Sequence, residues 1–155
     1  MSFVCGLRKR GKSREAFKAL QQVLPHASQY VLREQLEILP ASKWYLTAGV
    51  FDAEKSFVNG TARCRTAEAN GFVGARTTGN PFWLQSEEDW HQFLTYEHTV
   101  HEAIETQRVI SLCTYPAAIC SARDMISTFA SHHAILTYQG DSWQCLDVRR
   151  RQATA

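Results

Sequence analysis

The stretch EEDWHQFLTYEHTVHEAIETQRVISLCTY, residues 87–115, decides the fold class, because a helical pattern is followed closely by a strand pattern. The first part predicts a helix over Glu87–Ile104, with one apolar stripe formed by Trp90, Phe93, Leu94 and Ile104. The second part, Val109–Tyr115, is a β-branched run closed by Pro116, which predicts a strand. A helix that leads into a strand is the repeating unit of α/β proteins.

The same alternation extends in both directions. Toward the N-terminus the pattern predicts, in order, a strand at Phe3–Leu7, a helix ended by Pro25, a strand at Leu36–Leu39, a helix from Asp52 to Gly71, and a strand at Phe72–Thr78. Toward the C-terminus, Ser121–Asp124 has capping-box spacing and starts a helix. Ala134–Gln139 and Ser142–Val148 flank Gly140-Asp141, a two-residue hairpin turn. We therefore predict a mostly parallel sheet covered by helices, with a C-terminal β-hairpin.

Composition restricts the class of protein. A chain of 155 residues with 45% hydrophobic content suits one domain, which we assign to residues 1–148, followed by a basic flexible tail at 149–155. The net charge of +2 gives no reason to expect nucleic acid as a partner. No apolar run reaches the roughly 20 residues of a membrane span, so we expect a cytoplasmic protein without a membrane partner. The five cysteines lack paired C-x-x-C spacing, which predicts reduced thiols.

Aromatic and hydroxyl side chains follow the predicted strands, at the sheet edge where ligands usually bind in α/β folds. The candidate ligand-binding residues are Trp44, Tyr45, Arg76, Thr78, Phe82, Trp83, Glu97 and Tyr115. Large apolar rings with a few hydroxyls suit a small, weakly polar ligand. Arg76 and Glu97 are predicted to form an internal ion pair that orients this pocket, since buried charges are costly unless paired.

Catalytic and metal-binding patterns are weak in this sequence. There is no G-x-S-x-G elbow and no cysteine in an activating context, so we predict no catalytic residues and no enzyme activity. Glu97, His98, His101 and Glu102 have i, i+4 spacing, but no further group of ligands completes a metal site, and we expect neither a metal nor a cofactor. His132-His133 at a helix end is expected to cap carbonyls or to pack.

One segment offers a nucleotide-binding alternative. Gly6 to Ser13 satisfies G-x-x-x-x-G-K-[ST] between a predicted strand and a predicted helix, with Gly11, Lys12 and Ser13 as the phosphate-binding residues. The intervening residues are bulky and basic, however, and no apolar strand ends in an aspartate that would hold magnesium. The ATP or GTP hypothesis therefore stays an alternative.

An ordered set of short motifs resembles the signature of the MEDS sensory domains. These motifs are Gln35–Pro40, Trp44–Leu46, Gly49 with Phe51-Asp52, Thr78-Gly79, Phe82-Trp83, Tyr96-Glu97 and Leu112–Pro116. The resemblance covers nearly the whole chain and implies a RecA-like three-layer α/β fold. It also implies a sensory role in signal transduction, often beside transcription regulators or kinases, with recognition of small hydrocarbon-type compounds.

The sequence departs from this family at its start. Family domains usually begin with an additional strand and helix, and this chain begins where their second strand would fall, so it resembles an N-terminally truncated member. The absent strand would lie between Phe72–Thr78 and Val109–Tyr115, which would expose two strand edges. We therefore expect a homodimer, a strand exchange or a rearranged sheet. The leading hypothesis is a non-catalytic module that binds a small apolar compound and signals through self-association or a regulatory protein partner. A structural or interaction protein without a ligand is the other alternative.

Overall fold

The computed structural model describes residues 2–7, 10–84, 86–115 and 120–148, with side chains from residue 13 onward. Six helices and eight strands lie in these ranges, in the order β1 (Ser2–Leu7), α1 (Arg10–Val23), α2 (Ala27–Leu32), β2 (Leu36–Pro40), α3 (Ala41–Trp44), β3 (Leu46–Thr47), β4 (Val50–Phe51), α4 (Ala53–Ala69), β5 (Ala75–Gly79), α5 (Glu87–Ile104), β6 (Val109–Cys113), α6 (Ala122–Ala130), β7 (Ala134–Gln139) and β8 (Ser142–Asp147). The short elements α2, α3, β3 and β4 have no counterpart in the sequence prediction.

Four strands form one parallel sheet in the order β2-β1-β5-β6. Strand β1 lies between β2 and β5, with Phe3 opposite both Leu36 and Arg76. The predicted parallel sheet is therefore confirmed. Parallel neighbours need a crossover connection, which α1 and α2 supply between β1 and β2 and α5 supplies between β5 and β6.

Strands β5 and β6 pair directly, from Ala75 opposite Val109 to Gly79 opposite Cys113. The sequence prediction left a gap for a further strand at this position and expected two exposed edges there. That expectation is wrong, because the backbone groups of β5 and β6 satisfy each other. The predicted homodimer, strand exchange and rearranged sheet stay predictions.

Side-chain caps fix where the three long helices after β4 begin. The Asp52 carboxylate accepts a hydrogen bond from the backbone N–H of Lys55 at 2.9 Å and so starts α4. Ser86 accepts from the N–H of Asp89 at the start of α5. Ser121 and Asp124 form the predicted capping box at the start of α6. The sequence prediction of these three helix starts is confirmed.

The two faces of the sheet differ at β5 and β6. On one face, Ala75 packs with Cys64 and Ala67 of α4, and all three side chains are buried. On the other face, Ile110 and Leu112 of β6 are 57% and 49% exposed. A helix layer that covers both faces along the whole sheet is therefore not seen, and the RecA-like three-layer arrangement is not confirmed.

The segment with phosphate-loop spacing is mostly regular structure. Strand β1 runs to Leu7 and helix α1 begins at Arg10, so residues 8–9 alone connect them, and these two lie outside the described residues. Gly11, Lys12 and Ser13 fall within α1, and the side chains of Gly11 and Lys12 are likewise outside the described part. The nucleotide-binding alternative therefore stays a prediction.

The C-terminal hairpin forms a separate two-stranded sheet. Strand β7 pairs with β8 from Ala134 opposite Asp147 to Gln139 opposite Ser142. Gly140 and Asp141 both adopt positive φ, at 54° and 62°, as a tight two-residue turn requires. The predicted hairpin is confirmed, and the basic tail predicted at 149–155 lies outside the described residues. Among the helices described, none has the length and apolar character that crossing a bilayer requires.

Gly74 lies very close to Arg108, in the segment that leads from α5 to β6. A Cβ atom at this position would collide with the backbone carbonyl of Arg108, which accepts a hydrogen bond from the N–H of Ala75 at 2.9 Å. We expect Gly74→Ala to lower the free energy of unfolding by about 1–3 kcal/mol, measured by urea denaturation.

The matched control is Gly60→Ala. Gly60 lies within α4, where a new Cβ would make an ordinary 3.6 Å contact with Trp44. This change should raise stability by up to about 1 kcal/mol, because alanine favours a helix over glycine. Equal midpoints for the two variants would contradict the close approach at Gly74.

Candidate functional site

The aromatic residues after the strands pack against one another as a core. The rings of Tyr45 and Trp83 stack with centroids 4.9 Å apart, and Phe51 lies 5.1 Å from Trp83. Phe93 and Tyr96 of α5 complete the buried cluster. Trp83 is only 5% exposed. These rings therefore close the strand ends instead of lining an open mouth there.

The start of α4 anchors the backbone that carries Trp44 and Tyr45. The Asn59 side-chain amide donates to the carbonyl of Trp44 at 3.0 Å, and the Lys55 ammonium donates to the carbonyl of Leu46 at 2.7 Å. The guanidinium of Arg63 lies 5.0 Å above the Trp44 ring and pairs with Glu37 of β2 at 2.8 Å. The position of both rings is thus tied to α4 and, through Arg63, to the sheet.

A cavity of about 80 Å³ lies between α4, α5 and the sheet. Its walls are mostly apolar, formed by side chains that include Phe57, Cys64, Val100, Ile104 and Val109. Trp44, Tyr45, Thr78 and Glu97, four of the predicted ligand-binding residues, also line it. An apolar space with a few converging polar groups is the usual form of a small-molecule site.

The polar side of this cavity is a chain of hydrogen-bonding side chains. The Thr77 hydroxyl donates to Ser111 Oγ at 2.9 Å, joining β5 to β6. Ser111 Oγ lies 3.7 Å from Cys113 Sγ, and the Cys113 thiol in turn interacts with Glu97. Strand alternation puts Thr77, Ser111 and Cys113 on the same face of the sheet, which faces α5. The sheet thus contributes a chain of polar side chains to the mostly apolar cavity, and Glu97 adds a polar group from α5.

Glu97 is a buried carboxylate, 7% exposed, in the middle of α5. Its Oε2 accepts a hydrogen bond from the Tyr115 hydroxyl at 2.9 Å and lies 3.4 Å from Nε2 of His132. Burial raises the pKa of Glu97, whereas His132 and Tyr115 oppose that rise. The carboxylate is thus held by side chains from β6's end and from the segment after α6.

The pKa values of two neighbours of Glu97, Cys113 and Tyr115, are also raised. Burial raises the pKa of Cys113 to about 12, and the nearby carboxylate contributes in the same direction. Burial and Glu97 likewise raise the pKa of Tyr115. A thiol with a raised pKa is a poor nucleophile. The arrangement does not favour covalent catalysis by Cys113.

Four predicted site residues lie away from the cavity. Arg76 is exposed on β5 and does not pair with Glu97, because strand alternation directs it to the face opposite Thr77. The predicted ion pair is therefore wrong. Phe82 is 43% exposed, whereas Trp83 and Tyr115 belong to the aromatic core.

Several residues of the site were missed by the sequence prediction. Tyr96, Thr77, Ser111 and Cys113 line the cavity. Alternation along β6 puts Ser111 and Cys113 on the same face of the strand, and this pattern could have predicted that they line the cavity. His132 is different: it reaches Glu97 from a distant segment, and no pattern in the sequence indicates that contact. The predicted capping role of His132 is confirmed, since its Nδ1 lies 2.7 Å from the carbonyl oxygen of Thr128 at the end of α6.

Removal of the Tyr115 hydroxyl tests the anchoring of Glu97. We expect Tyr115→Phe to lower the free energy of unfolding by about 1–3 kcal/mol, because the buried carboxylate loses its 2.9 Å donor. Tyr138→Phe is the control, since Tyr138 is 58% exposed on the hairpin and should change stability by less than about 0.5 kcal/mol. Both are measured by urea denaturation, and a neutral Tyr115→Phe would contradict the proposed anchoring.

The sequence of the chain identifies its family. No curated protein matches the chain. The sequence profile of MEDS, the MEthanogen/methylotroph, DcmR Sensory domain, matches residues 3–133. This range includes the residues that line the cavity, and it includes Glu97 with its partners Cys113, Tyr115 and His132. The chain therefore belongs to the MEDS family of sensory domains.

Proposed function

We propose that this domain is a non-catalytic sensory module that binds a small, weakly polar compound in the cavity between α4, α5 and the sheet. The observation that carries the proposal is the cavity itself, about 80 Å³ with apolar walls and one polar side. Membership of a sensory family supports the same role. The apolar walls would hold the carbon skeleton, and Thr77, Ser111 or Glu97 would meet a single polar group.

The size of the cavity limits the ligand. An engineered cavity of about 150 Å³ holds benzene, so a space of about 80 Å³ suits a compound of a few heavy atoms. The best small ligands gain at most about 1.5 kcal/mol per heavy atom, which gives about 6 kcal/mol for four atoms. Such a compound would bind in the range of tens of micromolar to millimolar.

Short-chain alcohols and ketones of two to four carbons test the ligand class. At about ten times its Kd, a fitting compound should stabilise the fold by about 1.4 kcal/mol and raise Tm by roughly 3–6 °C. Benzene is the oversized comparison and should give no stabilisation. The measurement is thermal unfolding followed by circular dichroism.

Ala103→Leu is the matched variant, because Ala103 lines the cavity and three added carbon atoms would fill it. The variant should fold but lose the shift in Tm. Ala62→Leu, on the exposed side of α4, should keep it. Equal shifts in both variants, or no shift with any compound in the native domain, would count against binding in this cavity.

We propose that the domain transmits its signal by self-association through the hairpin. Strands β7 and β8 form an isolated two-stranded sheet, which is marginally stable on its own. Leu136, Tyr138 and Trp143 share one face by strand alternation, and they are 50%, 58% and 71% exposed. An exposed apolar face of this kind is typical of an interaction surface. A second copy of the chain would cover it with the same face.

Trp143→Ser tests this output by analytical ultracentrifugation. The native domain should form a dimer whose dissociation constant rises at least about tenfold in the variant, because Trp143 is the most exposed ring of the face. Gln144→Ser, on the opposite face of the hairpin, should leave the dimer unchanged. A native domain that stays monomeric up to high micromolar concentration would exclude self-association and favour a regulatory protein partner at this face.

A further inference from the structure

Three potential metal ligands from separate parts of the chain converge beside the cavity. A carboxylate oxygen of Glu97 in α5, Sγ of Cys113 at the end of β6, and a ring nitrogen of His132 after α6 all lie within 4.8 Å of one another. Glu97 is buried, and Cys113 and His132 are partly buried. The thiol, imidazole and carboxylate are the three side-chain groups that commonly bind zinc in proteins.

The orientation of His132 is fixed by its hydrogen bond to the backbone. Its Nδ1 lies 2.7 Å from the carbonyl oxygen of Thr128, which can only accept, so Nδ1 carries a hydrogen. In the neutral ring, Nε2 then presents a lone pair toward Glu97 Oε2. Metal-binding histidines are held in this way, with the second ring nitrogen donating to a carbonyl or carboxylate.

The spacing between Nε2 of His132 and Oε2 of Glu97 is compatible with a cation between them. Without a metal, a proton on Nε2 makes the two side chains an ion pair. With a metal, the cation takes the place of that proton. The separation of 3.4 Å between the nitrogen and the oxygen is longer than the roughly 2.7–2.9 Å of a charge-assisted hydrogen bond. Zinc bonds of about 2.0–2.2 Å to nitrogen and oxygen, in tetrahedral geometry, put those two atoms about 3.4 Å apart.

We propose that Glu97, Cys113 and His132 bind a divalent cation of the zinc class, with one coordination position left open. On binding, the Cys113 thiol gives its proton to solvent and its sulfur bonds to the ion, while Glu97 and His132 each supply a lone pair. Tyr115 donates to Glu97 and orients it from outside the coordination sphere. Zinc is favoured over magnesium or calcium, because those ions prefer oxygen ligands alone.

The position of this site connects it to the cavity, because Glu97 and Cys113 also line that space. The open coordination position would accept an oxygen or nitrogen atom of a small ligand, a consequence that rests on the proposed function. Metal binding itself does not depend on it. Metal binding and ligand binding can therefore be tested separately. Metal binding is measured without any organic compound, and ligand binding is measured through Ala103→Leu.

Cobalt(II) is the probe for the metal site. The reduced, chelator-treated domain is titrated with CoCl₂, and we expect one equivalent to bind with a thiolate-to-cobalt charge-transfer band. Added ZnCl₂ should displace the cobalt and remove the band. Cys113→Ser should abolish the band, and His132→Ala should weaken binding about a hundredfold or more. Cys145→Ser, an exposed thiol on the hairpin, should behave like the native domain.

A second cluster that contains histidines is the alternative location for the ion. His101, Glu105 and His133 also lie within 4.8 Å of one another, but they include no thiol. Binding that is lost in His133→Ala and kept in Cys113→Ser would place the ion there and overturn the proposal. Absence of a charge-transfer band in the native domain at excess cobalt would overturn it as well, and this result needs no variant to fold.

Discussion

The burial of the Glu97 carboxylate is the constraint on which the site depends. A carboxylate removed from water requires partners, and in this domain they come from three other places in the chain: Tyr115 beyond β6, Cys113 within β6 and His132 beyond α6. Helix α5, strand β6 and the end of α6 are thereby held in one arrangement. A purely apolar residue at this position would fill space but would not fix the relative rotation of these elements.

The aromatic core and the cavity are two results of the same packing. Stacking of Tyr45 on Trp83 closes the strand ends, and the rings of Phe93 and Tyr96 seal them from the α5 side. Behind them, small side chains such as Gly60 and Ala103 leave the helices slightly apart from the sheet. Large rings thus lie at one end of the cavity, and small residues lie along its length.

Local signals in the sequence predict the fold class correctly, and they fail where contacts are distant. Caps such as Asp52 and the Ser121–Asp124 box act over a few residues, so their outcome can be predicted. The sequence prediction places Arg76 in the interior, but its neighbours Ala75 and Thr77 occupy the inward positions of β5. Strict alternation therefore puts Arg76 outside. The meeting of Glu97 with His132 depends on how α6 docks on α5, which no local pattern encodes. The direct pairing of β5 with β6 is likewise a property of the whole sheet.

The contrast between the parallel sheet and the separate hairpin has a consequence for the order of folding. Pairing of β1 with β5 joins residues as distant as Ser2 and Ala75, so the sheet forms only after large loops have closed. The hairpin joins neighbours across the Gly140-Asp141 turn and can form within about 1–10 μs. Its apolar face is thus presented while the sheet is still incomplete. When the complete chain refolds, this face is therefore available for premature contact with another incompletely folded chain.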